Sequence, residues 1–344
     1  MPTTKKMPKT VNITSINGCS DANPFWETLK PVWDNPTCVW ICESNVVRTA
    51  KALAVEDFPV PSWREPVFPE SDKQFFEFIA VGNCINFAFT NFATGKSFTT
   101  EYQGSAWRGA FGMWACLRRA VENGAPITSG EFLAALTLAD CQELFAGDSS
   151  MPMIEERCAI LKEVGDVLCS HYEGRFLNLL TSSTGKAFGT RGLVTQLLDR
   201  FPSFKDESRH IKTGTILQFE KRAQLLAMMY QGRALASKVL RPLSDSSSLG
   251  PIADYSVPRA LHAQGILEYS AELVQQINSR SVLPKDGVAE QEIRAQATHA
   301  QIMLLNEING LRRDILTFLE LDYKLWMLGR RVEAPHHLTR TTAY

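Results

Sequence analysis

The chain has 344 residues, 44% of them apolar and 21% charged, with 21 Gly and 17 Pro; this composition supports a sizeable buried core and excludes a disordered or fibrous protein. Lys and Arg number 36 against 37 Asp and Glu, a formal net charge of -1, which leaves no surplus for a broad grip on a nucleic-acid backbone. No apolar stretch approaches the roughly 20 residues that span a bilayer, and the eight cysteines lie irregularly in the first half of the chain, too sparse for a disulfide scaffold.

Residues 1 to about 25 are polar and basic and are expected to form a flexible arm, with order beginning near Pro24 and a single domain running from 26 to 344. The lysine-rich opening MPTTKKMPKT is followed by VNITSINGCS, which offers neither an apolar core nor a small-residue cleavage site, so a cytoplasmic protein is expected, with nuclear access left open. Four prolines between Phe58 and Glu70 forbid a helix or central strand and predict an extended connection pinned by Trp63. From Ile85 to Tyr102 the chain turns β-branched and aromatic around Ala93-Thr94-Gly95-Lys96, the pattern of a small β-hairpin near residues 85–102.

Almost everything after that is helical in period. Acidic Glu155 and Glu156 open a helix near Pro152, and apolar spacing predicts others near 107–123, 129–146, 189–201, 219–241, 257–264, 268–280, 288–308 and 310–329. The fold class is therefore mainly α. No Gly-rich phosphate loop occurs, and Cys38-x-x-x-Cys42 lacks the partner pair that a zinc site needs.

Three constellations carry chemistry. Lys221 and Arg222 lie near a helix start, where the dipole favours anions; either a bound phosphate accounts for the two cations, or they are a solvent-facing Lys and an Arg paired with a carboxylate. Asp254 precedes a helix whose early Pro258 marks the first turn. It is either an ordinary cap or an acid held ionised by free amides with its pKa low, suited to stabilising an oxocarbenium-like sugar cation or orienting water. Asp322, flanked by Tyr323 and Trp326 in an apolar helix, is either a helix-end ion pair or a reader of a purine-like ring. The tail from Pro335 to Tyr344 either frays or folds back as a pocket wall.

Taken together these segments resemble the queuosine salvage family, the queuosine 5′-phosphate N-glycosylases. The resemblance runs in family order from about residue 60 to 344 through Asn86-Phe87, Met151-Pro152, Phe201-Pro202-Ser203-Phe204 with Asp206, FEKRAQ from Phe219 to Gln224, ADYSVP from Ala253 to Pro258, Glu292 to Ala295, Asp322-Tyr323 with Leu325-Trp326, and Tyr344. It implies a helical fold similar to DNA-glycosylase architecture and hydrolysis of a ribonucleotide's N-glycosidic bond, freeing queuine or a related 7-deazapurine base without metal or other cofactor. By the same resemblance Asp254 is the catalytic Asp, which stabilises the oxocarbenium ion and positions water, Asp322 and Tyr323 hold the base, and Lys221, helped by Arg222, meets the 5′-phosphate.

The chain departs from the family pattern at Asn83, Thr90, Ala110-Phe111, Ile252 and Met327, and has Glu65 and Pro66 where a His is expected. Ile252 and Met327 count among the substrate-binding positions, so the departures are expected to cluster on the base and to shift its preference. The expected partner is a small nucleotide, with no direct nucleic-acid or membrane binding, and a monomer or weak oligomer. The alternative from another class is a family member that binds a modified base or nucleotide without cleaving it.

Overall fold

The computed structural model describes residues 23–344, so the expected N-terminal arm lies outside the described residues up to residue 22. Asn23 is buried, and its amide donates to Gln224 Oε1 at 2.7 Å and to the carbonyls of Ser248 and Gly250. Helices α1 (Trp26–Trp33) and α2 (Glu43–Leu53) flank strand β1 (Val39–Ile41). After the proline-rich connection come α3 (Asp72–Cys84), the hairpin of β2 (Thr99–Tyr102) and β3 (Ser105–Arg108), and α4 (Ala110–Glu122). Five helices follow: α5 (Gly130–Ala135), α6 (Leu138–Leu144), α7 (Ile154–His171), α8 (Phe176–Ser182) and α9 (Leu193–Arg200). A second hairpin, β4 (Glu207–Arg209) and β5 (Ile216–Gln218), leads into α10 (Lys221–Leu235). The remaining elements are α11 (Ser256–Ala263), β6 (Leu267–Tyr269), α12 (Ala271–Asn278), β7 (Val282–Leu283), α13 (Val288–Leu311), α14 (Phe318–Arg331) and β8 (Leu338–Thr339).

The protein is mainly helical, as the periodicity predicts, and its sheets are two-stranded: β1 with β6 and the two hairpins are antiparallel, β7 with β8 parallel. Two helices, α10 and α13, are buried on nearly every face. A helix in that position is usually apolar all round; α13 instead uses its polar side chains to tie other elements down. Glu292 accepts from the amides of Thr37, Cys38 and Val39 and from Thr37 Oγ1 at 2.6–3.0 Å, fixing the entry of β1. Gln296 donates to Val32 and Trp33 carbonyls at the end of α1, and Gln291 to Ser208 and Arg209 in β4.

The proline-rich connection is irregular, as expected, and is held by Arg233, whose guanidinium donates to the carbonyls of Ser62, Trp63, Pro69 and Glu70. The hairpin differs from its prediction. A turn does form at Asn91–Lys96, closed by the Thr90–Ser97 bridge, but the paired strands lie further on, around Gln103 (φ 50°) and Gly104 (φ 71°). Two successive residues in the left-handed region are what a tight antiparallel turn requires. Residues 85–89 have strand composition but form no strand; Asn86, Phe87 and Phe89 line a cavity instead. The helix predicted over 129–146 is two, because Thr137 and Asp140 form a capping box that restarts the chain. The 310–329 helix begins only at Phe318, where Thr317 and Glu320 form another. Helices α1, α2 and α3 lie in a region where the period reading placed none.

Candidate active site

Four segments converge on one cavity: Asn86, Phe87 and Phe89 after α3, the start of α10, the approach to α11, and one face of α14, with Pro61 and Trp63 of the proline-rich connection alongside. Lys221, Ile252, Asp254, Asp322 and Tyr323 all line it. Asp254 is 8% exposed, and its Oδ1 accepts the backbone N–H groups of Ser256 and Val257 at 2.8 and 2.9 Å, the first turn of α11. Those contacts are the ones the sequence suggests. The pKa is not: burial outweighs the nearby Lys221 ammonium and the two amides, and raises Asp254 above the ordinary carboxylate value.

Asp322 is 7% exposed and accepts the Ile252 amide on Oδ1 at 3.2 Å. Burial, reinforced by the charge of Asp254, pushes its pKa well above the usual range, against the pull of the Ile252 amide and Lys221. It lies in the second turn of α14, not at a helix end, and takes no part in an ion pair among the described residues. Lys221 is buried, not solvent-facing; its Nζ donates to the Asn86 carbonyl at 2.8 Å, and burial draws its pKa down to about 8 although Asp254 and the other nearby acids favour the charged form.

Two expected site residues fall elsewhere. Arg222 is buried outside the cavity, donates to the carbonyls of Cys84 and Ser203, and lies over the rings of Phe87 and Phe204. Consecutive residues on a helix point about 100° apart, so Lys221 and Arg222 cannot share one target. The same geometry removes Met327: five positions past Asp322 it faces away, whereas Tyr323 and Trp326 face the cavity. Of the departures, Ala110, Phe111 and Ile252 line the cavity, while Asn83 and Thr90 do not. Asn83 Oδ1 accepts from Asn86, and Thr90 pairs with His336.

One side of the cavity is an aromatic wall. Trp63 meets Tyr323 edge-on at 5.6 Å, Tyr323 and Trp326 lie near-parallel at 6.0 Å, and Phe111 closes the series 5.8 Å from Trp326. The rings touch one another and form a continuous aromatic surface against which a flat heterocycle can lie. Behind the acids, Arg294 of α13 grips Asp206 with two bonds, 2.8 and 2.5 Å, and donates Nε to the Ala253 carbonyl at 3.2 Å. Asp206 in turn accepts the Lys221 amide at 3.2 Å. One buried ion pair thereby fixes the backbone under both Lys221 and Asp254. The tail folds back as a wall: Tyr344 lines the cavity, its carbonyl side accepts the Ala88 amide at 2.9 Å, and its ring lies 4.3 Å over Arg294. Tyr255 is a lining residue that the period reading did not single out for a role. Among the described residues no three His, Cys, Asp or Glu side chains converge as metal ligands.

Fold and cavity define a mainly helical protein with a two-acid, one-ammonium site beside an aromatic wall. Residues 67–344 match the queuosine salvage protein family, and the chain belongs to it. It is 33% identical to the queuosine 5′-phosphate N-glycosylase/hydrolase of Sphaerobacter thermophilus over 92% of this chain and 96% of that protein. Against the protein of the same name from Mus musculus the identity is 28%, over 92% of this chain and 98% of that protein. The relative from Nematostella vectensis, also so named, is 25% identical over 89% and 94%.

Proposed function

We propose that this protein hydrolyses the N-glycosidic bond of a queuosine 5′-phosphate-type nucleotide, releasing queuine or a related 7-deazapurine base and leaving ribose 5-phosphate. The observation that carries the reading is that Asp254 and Asp322 line one cavity together with Lys221 and the aromatic rings of Trp63, Phe111, Tyr323 and Trp326. The C1′–N bond breaks with its electron pair going to the base, water adds to C1′, and the net proton passes from that water to the departing base. Asp254, fixed by two amides, lies where a carboxylate lowers the energy of the oxocarbenium-like cation and orients the water. Asp322 and Tyr323 hold the base.

The protonation states of the two acids support this division of labour. Two carboxylates in one low-dielectric site do not both ionise easily, and the one pushed further up keeps its proton. That acid is Asp322, leaving the charge on Asp254, with Lys221 balancing it. The apolar Ala110, Phe111 and Ile252 on the lining support a base less polar in its substituents than that of standard members. The test is chromatographic: base release from queuosine 5′-phosphate, guanosine 5′-phosphate and 7-deazaguanosine 5′-phosphate, with the native chain and Asp254→Ala. Release from a deazaguanine nucleotide, reduced by roughly 10³-fold or more in kcat in the variant, is expected. Tight binding of one of them with no release by either protein would establish the binding-protein alternative instead.

A further inference from the structure

Trp63 holds a backbone conformation that its side chain does not favour. Its φ is 53°, in the left-handed region that glycine enters freely and a bulky residue rarely does. Such a residue persists only where its surroundings over-determine it, and one that also lines a binding cavity calls for a functional reading. The indole Nε1 is sealed from solvent without a hydrogen-bond acceptor, although a buried indole N–H usually finds one. A polar contact of the ring therefore does not set its position.

What sets it is the far end of α10. Gly232 leaves room where the proline-rich connection passes: a Cβ there would stand 2.3 Å from the Pro61 carbonyl oxygen and 3.2 Å from Trp63 Nε1. The next residue, Arg233, is fully buried. Its Nε donates to the Ser62 carbonyl at 2.8 Å, its Nη2 to the carbonyls of Trp63 and Pro69, and its Nη1 to those of Pro69 and Glu70 and to Asp72 Oδ1 at 3.1 Å. Asp72 opens α3 and is itself held by Ser237 Oγ at 2.6 Å. The Ser62 and Trp63 carbonyls belong to the two peptide planes that flank the Trp63 Cα. Because peptide planes are rigid, holding both directions fixes φ and ψ between them.

The consequence is read at the aromatic wall. Trp63 meets Phe68 edge-on at 5.8 Å and Tyr323 edge-on at 5.6 Å. A shift to the ordinary negative φ would redirect the Cα–Cβ bond relative to the two flanking peptides and take the indole off Tyr323.

We propose that Arg233, seated beside Gly232, is a positioning residue for base recognition: it fixes Trp63 in the left-handed conformation and so builds the end of the aromatic wall against which the base lies. This rests on the glycosylase reading above and places a determinant of base affinity outside the cavity. Arg233 does not line it and lies more than three helical turns beyond Lys221 on α10.

The experiment is a double-mutant cycle on Arg233→Met and Trp63→Gly, the glycine removing ring and strain together. Queuine binding is measured by calorimetry, base release from queuosine 5′-phosphate by steady-state kinetics, and stability by urea titration. Arg233→Met is expected to weaken queuine binding and raise KM about 10-fold, the size of one lost stacking contact, with kcat within about twofold of the native chain. In the Trp63→Gly background the same substitution is expected to change either quantity by less than about twofold, because nothing is left to position. A merely structural Arg233 would lower stability without this split between KM and kcat, and its effect would add to that of Trp63→Gly; that result, or an unchanged queuine affinity in Arg233→Met, overturns the proposal. Should Arg233→Met not fold, Gly232→Ala, which presses on the Pro61 carbonyl, carries the same cycle. If the native chain binds queuine and loses affinity through Arg233→Met yet releases base from no nucleotide, the hydrolysis reading fails while the positioning role stands.

Discussion

Asp322 shows what one buried acid does to both stability and function. Its folded-state pKa is raised, so relative to an unfolded chain the folded protein holds a proton more tightly. That contribution is fully present below the ordinary carboxylate value and is lost as pH rises through the raised one. At neutral pH and above, the acid is a stability cost retained for the site, the usual pattern where function and stability compete. Asp322→Asn keeps the acceptor for the Ile252 amide and removes the ionisable group. Thermal melts are expected to give the variant a melting temperature a few degrees higher than the native chain near pH 8, with the gap closing near pH 4, while kcat/KM falls about tenfold or more. A variant less stable than the native chain at pH 8 would mean that Lys221 compensates the ionised form in full.

At the scale of elements, the site depends on how closely α14 crosses α11. Gly329 lies at that crossing, where a Cβ would stand 2.2 Å from the Ser256 carbonyl oxygen, so only a glycine lets the helices meet. Asp254 is held by the first turn of α11 and Asp322 sits on α14, so the crossing sets the separation of the two acids. Gly329→Ala is expected to destabilise the fold by about 1–3 kcal/mol, the range for overpacking, and to lower kcat more than it raises KM, as denaturant titration and steady-state kinetics would measure. The sequence named both acids but not this contact, because no periodicity distinguishes a glycine at a helix crossing from one at a helix end. Helical phase also explains Arg222 and Met327. Both follow or flank true lining residues in sequence, and both rotate out of the cavity once the helix is drawn.

At the scale of the whole molecule, two irregular segments close the cavity: the proline-rich connection, which contributes Pro61 and Trp63, and the tail, which contributes Tyr344. The tail is ordered by burial of His337, Leu338, Thr339, Thr341 and Tyr344 and by the β7–β8 pairing. Deleting residues 336–344 is expected to leave helical circular dichroism largely intact while base release falls below detection, since water then enters a site whose electrostatics depend on its exclusion. Full activity of the truncated chain would show that the wall is dispensable.

The helical class, the absence of a nucleotide-binding loop and the candidacy of Lys221, Asp254, Asp322 and Tyr323 were all legible in the residues, because periodicity and local motifs are short-range properties of the chain. The strand-like composition of residues 85–89 misled for the same reason: it records that side chains are buried and extended, not whether they face a partner strand or a cavity. Only the tertiary structure decided that Asp254 is raised and not lowered in pKa, since local amides favour the ion but long-range burial, supplied by α10, α14 and residues 85–89, outweighs them. It also decided how Lys221 and Arg222 differ: they are adjacent in sequence, yet Lys221 is turned into the cavity while Arg222 is held outside it by the carbonyls of Cys84 and Ser203, which distant segments bring to it.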